Sequence, residues 1–568
     1  MPDADRSEIP VFRRSVGALL VAPDAPVRTA LESLENSHER LALCADENGR
    51  LLGVLSDGDI RRGLLRGLSL TDPCDVFMNR DSLFVRENEP VANVARSLSA
   101  RVNVIPVVDA GHRVVGYYSY RQNLGARPSH VRQTGVAVVG QGYVGLTLAL
   151  TLASVGIRTF GIDSSDTVIN TLSTGKSSFY EAGIQSYMDR SVGRALTFSK
   201  GLGTVRADTY IVAVGTPVDP VSGEPNLAAI KAALGEIAER LQPGNSVIIR
   251  CTVPVGFTRT VAKPLLERIS GLEAGSQFLL AVAPERTVEG AAMSELRTNP
   301  QIVGGIDEES AEGAGDLFGH FTDTVINVGS MEAAELCKLL DNCYRDHIFA
   351  FANQLVPLTE SLDLDLHRII KAMNTGYPRN NVPWPSPGVG GPCLSKDPYI
   401  LASVMRDHGV PADLVLSARK VNEAGPAAVV DKVTRLLAEI GKPVDRATVS
   451  LIGIAFKGNP ETSDIRSSTS LPVVDAFRGA GSMRLYDPVV EDAVLAALGG
   501  SPVGLIEAFD GADAVVVLNN HPSYRDWDLD RLLGLMSKPA VLVDTWRNFD
   551  PAVLKARRDL VFGGVGSV

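Results

Sequence analysis

At 568 residues the chain has room for three to four domains, at roughly 150 residues each. It is 45% hydrophobic and 21% charged, and its net charge of −11 lacks the basic surface of a phosphate-backbone binder, so no nucleic-acid partner is expected. No membrane partner is expected either, because no run of about 18 uncharged apolar residues occurs. The opening MPDADRSEIPVFRR has no apolar secretory core. Six cysteines without a CxxC or a His/Cys cluster fit the cytoplasm better than a disulfide framework or a metal site.

The first 125 residues contain an internal repeat, in which 43–56 aligns without gaps on 106–119 at a constant offset of 63. Each copy reads as strand, tight turn, strand, with apolar helical stretches ahead of it near 27–34 and 91–98. A unit that cannot bury its apolar face alone is expected to pack against its copy. Gly53-Val54-Leu55-Ser56-Asp57-Gly58-Asp59 resembles the CBS-domain pattern. The resemblance, spanning 10–125, implies a CBS pair with an adenine-nucleotide effector at Ser56 and Asp59. Gln122 stands where the second copy would need its aspartate, so one competent site is expected. A purely structural module is the alternative.

Polar residues 125–130 read as a linker. Val136-Ala137-Val138-Val139 then opens a strand buried on both faces, followed by Gly140-Gln141-Gly142-Tyr143-Val144-Gly145 and an apolar helix through Leu152. Further strands are predicted at 159–163, 209–214, 246–250 and 278–282, in alternation with helices, the doubly wound parallel pattern. In a chain with 53 glycines the motif alone is weak, and its strand-turn-helix context carries it. Gly140 permits the tight turn, Gly142 lets the backbone approach a pyrophosphate, and Gly145 allows close helix–strand packing. The helix N-terminus offers free N–H groups to phosphate. Asp163, ending the next strand, would bind ribose hydroxyls and repel a 2′-phosphate, so NAD is expected rather than NADP.

Residues 331–376 lack strand runs and read as a long helical segment, a natural core for a homodimer or higher homo-oligomer. Lys338 and Asn342 fall on one face of it, an ammonium beside an amide donor, suited to an oxyanion. Glu285 and Glu289 lie at the mouth of a strand, where open α/β sheets place ligands. Taken alone, each pair reads as solvated surface. Cys393 lies in Gly388-Val389-Gly390-Gly391-Pro392-Cys393-Leu394-Ser395-Lys396-Asp397-Pro398. A thiol framed by glycines, with Lys396 favouring thiolate, reads as a nucleophile. Cys44, Cys74, Cys251, Cys337 and Cys343 read as small buried apolar residues. Strand–helix alternation resumes at 449–454 and recurs at 514–518 and 541–543. The predicted fold is α/β: Rossmann-like domains at 135–328 and 446–560, joined by a central helical segment at 329–425 and preceded by the α+β CBS pair.

From about 135 to 560 the chain resembles the UDP-glucose/GDP-mannose dehydrogenase family, NAD-dependent nucleotide-sugar 6-dehydrogenases. The landmarks run in order: GQGYVG, Tyr180-Glu181-Ala182-Gly183, Val214-Gly215-Thr216-Pro217, Thr252-Val253-Pro254-Val255-Gly256, Pro284-Glu285, Lys338 with Asn342, GVGGPCLSKDP, Ala455-Phe456-Lys457-Gly458, Asp464-Ile465-Arg466 and Tyr486-Asp487-Pro488. The resemblance implies a four-electron oxidation of a UDP-sugar at C6 through a thioester on Cys393. It also implies that Lys338 and Asn342 steady the oxyanion, Asp397 moves protons with Lys338, and Glu285 with Thr252 handles water. Cofactor contacts are implied for Gly140, Gly142, Tyr143, Val144, Gly145, Asp163, Gly215, Thr216, Thr252, Glu289, Lys396 and Arg466. Substrate contacts are implied for Glu285, Arg286, Lys338, Asn342, Arg379, Gly390, Gly391, Lys457 and Arg547.

Val168 stands where many relatives carry a basic residue, Cys251 replaces the usual serine, and the Lys457-to-Arg466 spacing is two residues longer than the commonest form. Pro284-Glu285-Arg286 and Tyr377-Pro378-Arg379 resemble the UDP-N-acetylhexosamine branch, pointing to UDP-N-acetylmannosamine or UDP-N-acetylglucosamine. Pro392-Cys393 and Lys396-Asp397 resemble the UDP-glucose form, so UDP-glucose is the alternative. Two readings from other classes are a non-catalytic nucleotide sensor and a two-electron 3-hydroxyacid dehydrogenase, which would need neither Cys393 nor the last domain.

Overall fold

The computed structural model describes residues 11–13, 16–17, 19–37, 41–87, 89, 104–119, 135–219 and 223–566. The linker at 125–130, the second helical stretch at 91–98 and Gln122 lie outside the described residues. Contacts divide the chain into two units, Met1–Pro128 and Ser129–Val568. Among the described residues, no helix is long and apolar enough to cross a membrane.

In the first unit the repeat is a structural repeat. Strands β1 (Val11–Arg13), β2 (Leu20–Val21), β3 (Leu41–Ala45), β4 (Leu51–Ser56), β5 (Val85–Arg86), β6 (Val104–Val108) and β7 (Val114–Ser119) form two sheets, ordered β2-β3-β4 and β1-β7-β6-β5. The same irregularity recurs in both hairpins, between Cys44 and Ala45 and between Val107 and Val108. The two turns also pair reciprocally: Leu51 N donates to His112 O at 3.1 Å, and Val114 N donates to Gly49 O at 2.9 Å. Each hairpin therefore satisfies the backbone of its copy, as a repeat that is unstable alone requires.

The second unit contains two doubly wound sheets. The first runs β8 (Val136–Val139), β9 (Thr159–Asp163), β10 (Leu196–Lys200), β11 (Thr209–Val212), β12 (Ser246–Ile249), β13 (Leu279–Val282), β14 (Gln301–Gly305) and β15 (Val325–Asn327). Its spatial order is β10-β9-β8-β11-β12-β13-β14-β15, with β14 antiparallel to β13. The second sheet has β16 (Thr448–Ile452), β17 (Ser482–Tyr486), β18 (Ser501–Pro502), β19 (Ala514–Val517), β20 (Ala540–Asp544) and β21 (Leu560–Gly564), ordered β18-β17-β16-β19-β20-β21. In both sheets the order reverses beside the first strand, which opens a crevice at the carboxyl ends. All four residues of β8, β11, β12, β13 and β19 are buried, as helix-covered parallel strands require.

The segment read as one long helical stretch is three helices: Met331–Asn353, Val356–Ser361 and Leu366–Asn374. Pro357 in the first turn of the second, and the Asp365 side chain capping the third through the N–H groups of His367 and Arg368, divide it. A fourth long helix, Asp413–Glu439, packs against the first and leads into the second sheet.

Candidate active site

A cleft of about 1680 Å³ opens at the carboxyl ends of β8, β9, β11, β12 and β13. Its floor is the glycine loop. Gly140 adopts φ +96°, and a Cβ there would lie 2.7 Å from Ala213 O. A Cβ on Gly145 would lie 1.7 Å from Gly140 O, so this glycine lets the helix Tyr143–Ser154 sit against the loop. Gly142 caps that helix and differs from both, because a Cβ there would meet nothing within 4 Å. The space over Gly142 and the helix N–H groups fit a pyrophosphate. Asp163 lines the same cleft, its carboxylate held by Gln141 N at 2.8 Å and Ser165 N at 2.9 Å. These features fit a dinucleotide without a 2′-phosphate.

Tyr143, Val144, Gly215, Thr216, Thr252, Glu285, Glu289, Lys338, Cys393, Lys396 and Arg466 line this cleft too. The loops therefore bring the thiol, the helix lysine and both glutamates to the glycine loop. Thr216 Oγ1 donates to Thr252 O at 2.6 Å and joins two of these loops. Tyr143 OH bonds to Glu181, and both accept from Gly290 N, which fixes the loop that carries Glu289.

Glu285 is almost fully bound. Arg250 Nε donates to its Oε2 at 3.1 Å, while Arg286 N and Thr287 N each donate to its Oε1 at 2.7 Å. Burial opposes its ionisation, but the Arg250 guanidinium, the Thr287 amide and Lys338 outweigh that and hold it below the usual carboxylate range. Arg250, 1% exposed, was missed in the sequence; its one signal is a charge ending the apolar run Val247-Ile248-Ile249. Glu335 was also missed. It accepts from Gly256 N at 2.6 Å and Thr258 N at 2.9 Å, tying the loop after Thr252 to the helix that bears Lys338.

Lys338 and Asn342 share the inner face of Met331–Asn353 and are buried. Among the described residues Lys338 makes no hydrogen bond, so its ammonium is available to a ligand. Asn342 Nδ2 donates to Asp397, whose other oxygen accepts from Lys396 Nζ at 2.6 Å. Asp397 is fully buried and bonded to Asn342 and Lys396, and no direct bond joins it to Lys338, its expected partner in proton transfer. Lys396 favours the thiolate as expected, but other effects oppose it. The Cys393 thiol is exposed to the cleft, yet burial of its surroundings raises its pKa, with Asp397 and Glu289 adding to this against Lys338 and Lys396. Lys396 spends its charge on Asp397. Of the other cysteines, Cys44, Cys74, Cys251 and Cys343 are buried as expected, while Cys337 is half-buried.

Other expected contacts fall outside the cleft wall. Gly390 and Gly391 pack instead of lining it: a Cβ on Gly390 would lie 2.2 Å from Ser467 O, and one on Gly391 would lie 2.5 Å from the Phe456 ring. Arg286 pairs with Asp341 at 2.6 Å. Lys457 bonds to Glu289 O and bridges the two sheets. Arg379 is exposed and lies over the Tyr377 ring at 4.9 Å. Arg547 is held by Asp365 at 2.6 and 2.9 Å beside a separate cavity of about 650 Å³. Neither Arg379 nor Arg547 lines this cleft, so the structure does not bring these two expected substrate contacts together with the thiol. Ser56 and Asp59 form a helix capping box, Ser56 N donating to Asp59 Oδ2 at 2.9 Å, and Asp59 Oδ1 accepts from Arg62 at 2.6 Å.

A dinucleotide cleft that also presents a thiol, a buried lysine and a clamped carboxylate defines an NAD-dependent oxidoreductase. The chain belongs to the UDP-glucose/GDP-mannose dehydrogenase family: residues 134–322 match its NAD binding domain, 332–424 its central domain and 450–551 its UDP binding domain. Residues 15–66 and 74–122 match CBS domains. It is 32% identical over 441 residues to a UDP-N-acetyl-D-mannosamine dehydrogenase of Pyrococcus horikoshii, covering 76% of this chain and 99% of that one. It is 30% identical over 422 residues to an NDP-N-acetyl-D-galactosaminuronic acid dehydrogenase of Ralstonia nicotianae, covering 72% and 95%. A solved structure of a UDP-D-ManNAc dehydrogenase from Pyrococcus horikoshii is 29% identical with a TM-score of 0.69, again over 76% of this chain and 99% of that one.

Proposed function

We propose that this enzyme oxidises C6 of a UDP-N-acetylhexosamine, UDP-N-acetylmannosamine or UDP-N-acetylglucosamine, to the uronate through a thioester on Cys393, supplying a polysaccharide precursor. The observation that carries this reading is the placement of Cys393, Lys338, Glu285 and Thr252 in one cleft with the glycine loop and Asp163. The relatives that act on N-acetylated sugars favour that branch over UDP-glucose. NAD supplies the acceptor for both hydrides leaving C6, so that alcohol, two NAD⁺ and one water give carboxylate, two NADH and three protons.

Gly140, Gly142, Asp163, Gly215 and Thr216 would hold the cofactor, with Glu289, Lys396 and Arg466 in the same cleft as further contacts. Lys338 holds the C6 oxygen and balances its charge as the alcohol becomes aldehyde. Cys393 Sγ then forms a bond to C6 as the C6–O π bond breaks, and its thiol proton is lost to solvent at that step, one of the three released, because burial disfavours a standing thiolate. Lys338 and the amide of Asn342 steady the resulting oxyanion, and Asp397 orients that amide. Loss of the second hydride gives the thioester, and water attacks it and restores the thiol. Glu285, kept ionised and with most of its acceptor capacity taken, positions that water with Thr252 rather than removing its proton.

Four parts, 10–125, 135–328, 329–425 and 446–560, divide this labour. Leu340, Tyr344 and Phe351, exposed by 49%, 65% and 41%, recur on one side of Met331–Asn353 and support a homodimer through that helix. The CBS pair binds an adenine nucleotide at Ser56 and Asp59, where ribose must displace Arg62 from Asp59. The test is turnover of UDP-N-acetylmannosamine, UDP-N-acetylglucosamine and UDP-glucose by the purified chain, counting NADH against uronate. Two NADH per uronate from an N-acetylated sugar is expected; turnover of UDP-glucose alone would overturn the assignment of the sugar.

A further inference from the structure

The thiol lies on a weak element. Gly391–Leu394 is a helix of four residues, and the loop before it is rich in glycine and proline. Such a segment does not fix a side chain by itself. A buried side chain from the next long helix grips it on both sides of Cys393. Arg419, 2% exposed, donates from Nη2 to Val389 O at 2.6 Å and from Nη1 to Leu394 O at 2.7 Å. The same Nη1 lies 2.7 Å from Asp346 Oδ1. Asp346 is on Met331–Asn353, the helix that carries Lys338 and Asn342.

Asn422 completes the link, its Nδ2 reaching Asp346 O and Asp346 Oδ1, each at 2.9 Å. A Cβ on Gly388 would lie 2.0 Å from Asn422 O, so the loop is seated directly on this cluster. Neither Arg419 nor Asp346 lines the cleft. A guanidinium is suited to this task, since its planar fork holds several acceptors at fixed angles where a lysine reaches only as a point charge.

We infer that Arg419, braced by Asp346 and Asn422, is a positioning residue that sets the thiol of Cys393 against the Lys338–Asn342 pair, and so controls the thiol-dependent half of the reaction. This rests on the thioester reading. The first hydride leaves an alcohol held by Lys338 and does not need the thiol, whereas the second needs sulfur within bonding reach of C6. Misplacement by about 1 Å costs on the order of a hundredfold in rate.

The test uses the full chain with Arg419→Lys, which keeps the charge and loses the fork. Stopped-flow NADH formation separates the two hydride steps, with semicarbazide trapping any aldehyde. The expected result is a second step slowed about a hundredfold, trapped aldehyde, a first step and KM values within about threefold of wild type, and folding verified by circular dichroism. Both steps unchanged, or both slowed in equal proportion, would overturn the inference. Should Arg419→Lys fail to fold, Asn422→Ala, which removes the brace on Asp346 and a bond from Asn353 but leaves Arg419 in place, is expected to slow the second step about tenfold and is judged by the same ratio. Cys393→Ser run alongside isolates the underlying reading: full uronate production there would defeat the thioester, whereas a proportional loss in Arg419→Lys defeats only the clamp.

Discussion

Glu289 and Lys457 meet where the two doubly wound sheets join, and each is partly buried at a cost to its charge. Burial, with Asp464 adding to it, pushes the Glu289 carboxyl up from 4.5 to about 7, against the pull of Arg466 and Lys457. Burial lowers Lys457 to about 8, opposed by Glu289. As pH rises from 4.5 towards 7, the unfolded chain ionises this carboxyl before the folded one does, so its contribution to stability is full below 4.5 and is lost through about 7. Glu289→Gln has no such proton to lose. Compared with wild type, it is expected to gain roughly 2–3 kcal/mol in relative stability between about pH 4.5 and pH 8, read from urea midpoints. Parallel pH curves for the two proteins would contradict this. At this scale the sequence was legible where residue type and motif coincide, as at Cys393 and Asp163. Arg250, Glu335 and Arg419 were missed because each serves a partner remote in sequence, and nothing in their local neighbours marks that partner.

The elements themselves were read well where burial dictates pattern. The strands predicted at 209–214, 246–250 and 278–282 appear as β11, β12 and β13, because helix-covered parallel strands leave continuous apolar runs. The central segment was read as one helical stretch because periodicity alone does not register a capped restart such as Asp365. The glycines before Cys393 also have a packing reason that the sequence did not show, since a Cβ on Gly390 or Gly391 would meet Ser467 or Phe456. The three glycines of the dinucleotide loop divide labour in a way a substitution can separate. Gly145→Ala would drive a methyl into Gly140 O, but at Gly142 the methyl enters open space, with φ −71°. Gly142→Ala is therefore expected to melt within about 2 °C of wild type, since an exposed substitution of this kind changes stability little. Its NAD dissociation constant should rise at least about tenfold, because the methyl occupies the approach to the pyrophosphate. Calorimetry showing unchanged affinity would remove Gly142 from the cofactor site.

On the scale of the whole molecule, a dehydrogenase shares its chain with a CBS pair whose two copies follow one pattern to the level of a shared strand irregularity. That symmetry was legible from the constant offset. Occupancy was not, because Ser56 and Asp59 cap a helix as well as they would hold a nucleotide. Titration with AMP, ADP and ATP by calorimetry decides it. One adenine nucleotide is expected to bind at one site per chain, Asp59→Ala to abolish the heat, and NADH formation to shift when the site fills. Absence of heat and of any kinetic effect for all three would leave the pair a structural module.

Sulfur carries the sugar between its two oxidations, and every later step depends on that bond. The most direct measurement is uronate formation by Cys393→Ser, followed as carboxylate product rather than as NADH alone. Uronate output should fall by at least about a thousandfold, as for loss of a covalent nucleophile, while the first hydride transfer continues. Uronate appearing at the wild-type rate from the serine variant would contradict it.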